Sequence, residues 1–110
     1  MANISSFYIK ETKAFSYTIT LNSSNPDITG DTVSFILKRN KNDTDANALI
    51  TKNADVTTNG ASGQADFELT PSDTAINPIE GFYEVKWTTA AGKVYILDSD
   101  KILVKERVYD

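Results

Sequence analysis

The sequence predicts an all-β domain, a sandwich or barrel of about seven or eight short strands. Three observations point there. Apolar residues recur with a period of two, as in Phe15, Tyr17, Ile19 and Leu21 or in Tyr83, Val85 and Trp87. Turn-forming clusters interrupt this pattern roughly every 8–12 residues. Thr, Ser and Asn are frequent and leucine is scarce, a composition that favours strands and turns over helices.

Each element follows from its residues. Residues 14–21 alternate cleanly and predict a strand with Phe15, Tyr17, Ile19 and Leu21 on one face. Asn22 to Asp27 is dense in turn formers, and Thr29-Gly30-Asp31 is a second turn. Residues 32–38 form the next strand, with Val33, Phe35 and Leu37 on one face. Residues 39–47 are a polar loop, and 48–51 a short strand placed at a sheet edge. Residues 57–63 contain two glycines suited to positive φ, and 64–69 alternate again with Ala65, Phe67 and Leu69 inward. Thr70 is expected to cap a single helical turn near 71–76, with Pro71 at its first position and Asp73 at its electropositive end. Residues 81–88 are the strongest strand, and Ala90-Ala91-Gly92 connects it to a strand over 93–97. Asp98-Ser99-Asp100 is expected to turn the chain before a last strand over 101–108.

Composition narrows the function. The 110 residues fit one domain spanning 1–110, without linker or repeat. Zero cysteine removes disulfides and thiolate metal sites; zero histidine removes imidazole ligands and the usual near-neutral base. Eleven basic and 15 acidic residues give a net charge of −4, against the basic face a nucleic-acid binder needs. The N-terminus lacks a secretory signal, and apolar runs such as Phe7-Tyr8-Ile9 fall far short of the ~20 residues of a membrane helix. Synthesis in the cytoplasm is the expectation. The Asn-x-Ser/Thr triplets at Asn3, Asn22 and Asn42 are therefore read as polar loop residues.

No constellation for catalysis stands out. Alternating acids at Asp43/Asp45 and Asp98/Asp100 could hold calcium, but they read better as turn-forming aspartates. Glu68 and Glu84 are expected to face solvent and not each other across a cleft. Asn59 to Gly63 lacks the following helix that a phosphate loop requires. The expectation is no enzyme, no metal and no cofactor; were turnover found, Asp98 and Asp100 are the carboxylates to test. The aromatics divide into two groups. Trp87, Tyr83, Tyr17, Phe15, Phe35 and Phe67 fall on inward faces. Phe7, Tyr8, Phe82, Tyr95 and Tyr109 are harder to place inside, and are candidates for a partner interface or for packing at the rim.

Three segments carry a resemblance. Gly30-Asp31-Thr32-Val33-Ser34-Phe35 opens a strand, and Gly63-Gln64-Ala65-Asp66-Phe67-Glu68-Leu69-Thr70-Pro71-Ser72-Asp73-Thr74 runs from strand to turn. Gly81-Phe82-Tyr83-Glu84-Val85-Lys86-Trp87, then Gly92-Lys93 and Ile102-Leu103-Val104, make a hairpin and a closing strand. Over about residues 12–108 this order resembles the immunoglobulin-like domains of tailed-phage virion proteins, such as the N-terminal domain of siphophage upper baseplate proteins. The resemblance implies an immunoglobulin-like antiparallel β-sandwich that acts as a virion structural protein, a capsid decoration or a tail, neck or baseplate component. It implies other virion proteins as partners and homo-oligomeric or lattice contacts, and it transfers no catalytic residue. The polar loop at 39–47 is longer than in those domains and no C-terminal receptor-binding region follows, so a stand-alone module is expected. The alternative is a small module binding a host surface glycan, for which Tyr95, Phe82 and Tyr109 would have to be coplanar.

Overall fold

A computed structural model describes residues 5–107. Seven strands form two facing sheets: β1 (Ser6–Tyr8), β2 (Lys13–Thr18), β3 (Thr32–Lys38), β4 (Ile50–Asn53), β5 (Gln64–Leu69), β6 (Ile79–Thr88) and β7 (Val94–Lys105). One sheet has the order β1-β7-β6-β3-β4; the other pairs β2 with β5. The all-β sandwich expected from the pattern is thus the fold.

The two-residue period decides which side chains meet. Val33, Phe35, Leu37, Tyr83, Val85 and Trp87 from the larger sheet face Tyr17, Ala65, Phe67 and Leu69 from the smaller, and all are buried. Their aromatic rings bridge the sheets. Phe15 stacks on Phe67 at 4.9 Å between centroids and meets Phe35 edge-on at 5.4 Å. Phe35 in turn stacks on Tyr83 at 5.7 Å. Each such pair adds about 0.5–1.5 kcal/mol beyond the area it buries.

Strands β3 and β5 occupy the predicted ranges, and β4 lies at a sheet edge as expected. Three expectations need correction. The chain does not turn at Asp98-Ser99-Asp100: β7 runs unbroken for 12 residues, with a bulge opposite Val85/Lys86. The tripeptide is polar and turn-prone, but it pairs in register with Tyr83, Glu84 and Val85. Strand β1 was not anticipated, and it pairs with β7 in parallel, so the sandwich is not wholly antiparallel. Leu21 is exposed, because the chain leaves the sheet after Thr18 and closes a tight hairpin between Leu21 and Ser24. Asn22 (φ 53°) and Ser23 (φ 65°) both take the left-handed conformation that such a two-residue turn demands. The expected single helical turn near 71–76 is present as one hydrogen-bonded turn, in which the Thr74 amide donates to the Thr70 carbonyl at 3.1 Å. Short 3₁₀ turns lie in addition at Asp45–Asn47 and Gly60–Ser62.

That single turn is well anchored. The Asp73 amide donates to Thr70 Oγ1 and the Thr70 amide to Asp73 Oδ2, a reciprocal cap. The Thr70 amide and then the Lys52 ammonium, 2.9 Å away, hold the Asp73 carboxyl below the usual carboxylate range. Thr74 is fully buried, and its hydroxyl donates to the Glu11 carbonyl, joining the turn to the segment after β1. At the opposite edge Asp55 pairs with Asp66 through two backbone hydrogen bonds, so the chain leaving β4 laces onto β5 of the other sheet.

Gly81 marks the tightest crossing. A Cβ there would lie 2.7 Å from the Lys38 carbonyl oxygen, a contact that only backbone movement can relieve. Gly81→Ala should therefore destabilise by about 1–3 kcal/mol, measured by urea unfolding. Gly92→Ala has open space at its Cβ and costs only its φ of 91°, so a larger loss there than at Gly81 would contradict this packing.

Candidate functional site

A polar cluster spans both sheets. Tyr17 on β2 and Tyr83 on β6 each donate a hydroxyl hydrogen bond to Asp98 Oδ2 on β7, at 2.8 and 2.7 Å. Asp98 Oδ1 accepts the Ser99 amide at 2.9 Å. Burial, reinforced by the adjacent Asp98 carboxylate, pushes both phenols well above the ordinary tyrosine value. Both carboxylate oxygens are engaged, so Asp98 acts as a clamp between sheets. Asp100 Oδ1 likewise accepts the amide of the residue after it, Lys101, at 2.8 Å. These carboxylates occupy hydrogen-bonding amides along β7, and no group of three or more potential metal ligands occurs among the described residues.

The other acids are tied into turns. Asp55 accepts from the amides and hydroxyls of Thr57 and Thr58. The Thr58 hydroxyl and then the Thr57 amide lower its carboxyl to about 2. Asp43 Oδ2 accepts the Asn40 amide, a turn contact. Glu68 and Glu84 point outward from different sheets, so they form no catalytic pair.

The aromatic candidates separate by face. Phe7 is 2% exposed and joins the core beneath β1 and β7, which removes it from the candidate interface residues. The cause is the parallel pairing of β1, which sends Phe7 inward beside Val104. Tyr8 then points outward and is 46% exposed, with the Lys105 ammonium 5.3 Å from its ring centroid. Phe82 is half-buried on the same outer face, between Lys38 and Lys101 on the adjacent strands, and Lys41 lies 5.1 Å from its centroid. Tyr95 pairs with Trp87 and stacks on it at 4.9 Å, on the opposite face of the sheet. Trp87 is itself held by its indole N–H donating to Asp31 Oδ2. Tyr109 lies outside the described residues. Tyr95 and Phe82 therefore form no common platform.

The outer face of the larger sheet is the most distinctive surface. Phe82, Leu103 and Tyr8 run obliquely across β6, β7 and β1, with Leu103 43% exposed. Lys101 and Lys105 flank Leu103 along β7. Beside the stripe is a depression of about 360 Å³ lined by Ile36 and Phe82, by the bases Lys38, Lys41 and Lys101 and by the acids Glu84 and Asp100. Toward the hairpin, Val94 and Ile96 are also exposed. The sequence reading missed Leu103, Val94 and Ile96 because it sought interface candidates among the aromatics alone. For Leu103 the available signal was parity, since Ile102 and Val104 share the opposite phase; Val94 and Ile96 escape it because the bulge opposite Val85/Lys86 reverses the phase of the strand. No protein-family model matches the chain, and no curated protein is similar to it in sequence.

Two predictions follow from the clamp. Asp98→Ala leaves two buried hydroxyls without their acceptor and should cost about 1–3 kcal/mol for each, measured by urea unfolding; an unchanged midpoint contradicts the assignment. The second concerns alkali. Tyr17 and Tyr83 have raised pKa values in the folded chain, so their contribution is fully present below about pH 10, the unfolded value. It is lost as pH rises above that value, because only the unfolded chain ionises. The melting temperature should fall above about pH 10, less steeply in Tyr17→Phe/Tyr83→Phe than in the parent.

Proposed function

We propose that this protein is a non-enzymatic structural component of a tailed-phage virion, a capsid decoration or a tail, neck or baseplate protein. It works through contacts with other virion proteins and with copies of itself. The observation that carries this reading is the outer face of the five-stranded sheet. There Tyr8 and Leu103 stand exposed among lysines, as in a surface with an apolar centre and a charged rim. The strand order, the Gly81-Phe82-Tyr83 strand and the Leu69-Thr70-Pro71 turn support the resemblance to immunoglobulin-like virion domains. Localisation in the virion, after synthesis in the bacterial cytoplasm, belongs to the same reading. Tyr8 and Phe82 are the interface residues it retains. The glycan alternative has no supporting geometry: Phe82 and Tyr95 lie on opposite faces, and Lys41 covers the Phe82 ring.

The test is mass-spectrometric copy number in purified particles from the source, relative to the major capsid protein. A number close to that of the capsid protein is expected for a decoration, and a small symmetric number for a tail, neck or baseplate component. Absence from particles would overturn the proposal.

A further inference from the structure

The two outer faces of the sandwich carry opposite charge. On the five-stranded sheet, strand residues Lys38, Lys86, Lys101 and Lys105 point outward with only Glu80 and Glu84 as acids, so four lysines less two glutamates leave +2. Lys41 adds a further ammonium over Phe82 from the adjoining loop. On the two-stranded sheet the outward positions are Ala14, Ser16, Thr18, Gln64, Asp66 and Glu68, which include two acids and no base. Asp55, paired with Asp66 along the same edge, makes it three acids; Lys52, the base that borders them, is taken by Asp73 at 2.9 Å. A chain of net charge −4 thus presents a basic face and an acidic face on opposite sides of one thin sandwich.

Resting on the reading of this chain as an assembly protein, we propose that copies associate head to tail. The basic outer face of one copy seats against the acidic outer face of the next. Charge complementarity selects this occupant. Two basic faces, or two acidic faces, brought together across a two-fold axis would repel, whereas unlike faces attract and orient. Leu103 and Tyr8 supply the apolar centre on one side; Ala14 and the methyl group of Thr18, both exposed, meet it on the other. A contact between different faces is heterologous, so it propagates into rings or filaments and does not stop at a dimer. A surface this polar gives weak single contacts that salt screens. Repetition in an assembled particle then multiplies them.

The test is sedimentation velocity of the purified chain over a concentration series at about 0.02 M and about 0.5 M salt. The expected result is a mass that rises with concentration past the dimer at low salt, with association at least about tenfold weaker at high salt. Two exposed variants then separate the faces. Lys101→Gln/Lys105→Gln neutralises the basic face; Glu68→Lys/Thr18→Lys neutralises the acidic one. Each alone should be monomeric at low salt, and an equimolar mixture should give dimers and nothing larger, because one intact face of each kind remains. A parent chain that is monomeric throughout, that stops at a dimer, or that associates equally at both salts overturns the proposal without use of either variant. Assembly of the parent chain does not depend on the particle measurement. A chain found in particles but monomeric in solution refutes the head-to-tail contact and leaves the virion reading standing; a chain that assembles but is absent from particles does the reverse.

Discussion

The structure turns on one carboxylate shared by two phenols. Asp98 sits on β7, yet its Oδ2 takes hydroxyls from β2 of one sheet and β6 of the other. A sandwich this small has a core one side chain deep, and apolar packing alone leaves its two sheets able to slide. A directional, partly buried hydrogen-bond pair fixes their relative position as hydrophobic contact cannot. It also sets the register of β7 on β6, since Asp98 must lie opposite Val85 for its carboxylate to reach both rings. Phe15, Phe35 and Phe67 then fill the layer beside it.

The same strand governs the surface. An unbroken β7 is long, and long free edges invite unwanted pairing. Asp98 and Asp100 turn their Oδ1 atoms onto the amides of Ser99 and Lys101, so those donors are already bonded within the strand. Further along, β1 covers Leu103 to Lys105. With its edge blunted by carboxylates and a short parallel strand, the domain offers partners its faces: a lysine-rimmed apolar stripe on one side and an acidic ladder on the other. Assembly through faces and not through edges is a way for a β-protein to meet neighbours without templating aggregation.

Much of the architecture was legible in the residue pattern. Strands β3 and β5 and the inward sets on β5 and β6 follow from period-two alternation, which a half-buried sheet imposes on any sequence. The cap at Thr70 and Asp73 was readable because its chemistry is local. What escaped was long-range. Asp98-Ser99-Asp100 has the local composition of a turn, and only tyrosines 81 and 15 positions away hold it extended. Strand β1 is three residues long and pairs with the far end of the chain, so no local signal marks it, and Phe7 was taken as an interface candidate for that reason. The candidate surface was half visible: Tyr8 and Phe82 stood out as aromatics without a core position, while Leu103, an aliphatic side chain, carried no such mark.

The most direct measurement is the set of cross-strand α-proton contacts between β6 and β7 in the NMR spectrum of the chain. The Ser99 and Lys101 amides bond to their own neighbouring carboxylates, which makes Glu84/Ser99 and Phe82/Lys101 the closely spaced pairs of the ladder. Strong α-proton contacts within both pairs are the predicted result. Their absence, with sequential contacts typical of a turn at residues 98–100, would contradict the continuous strand and with it the clamp and the face that depend on it.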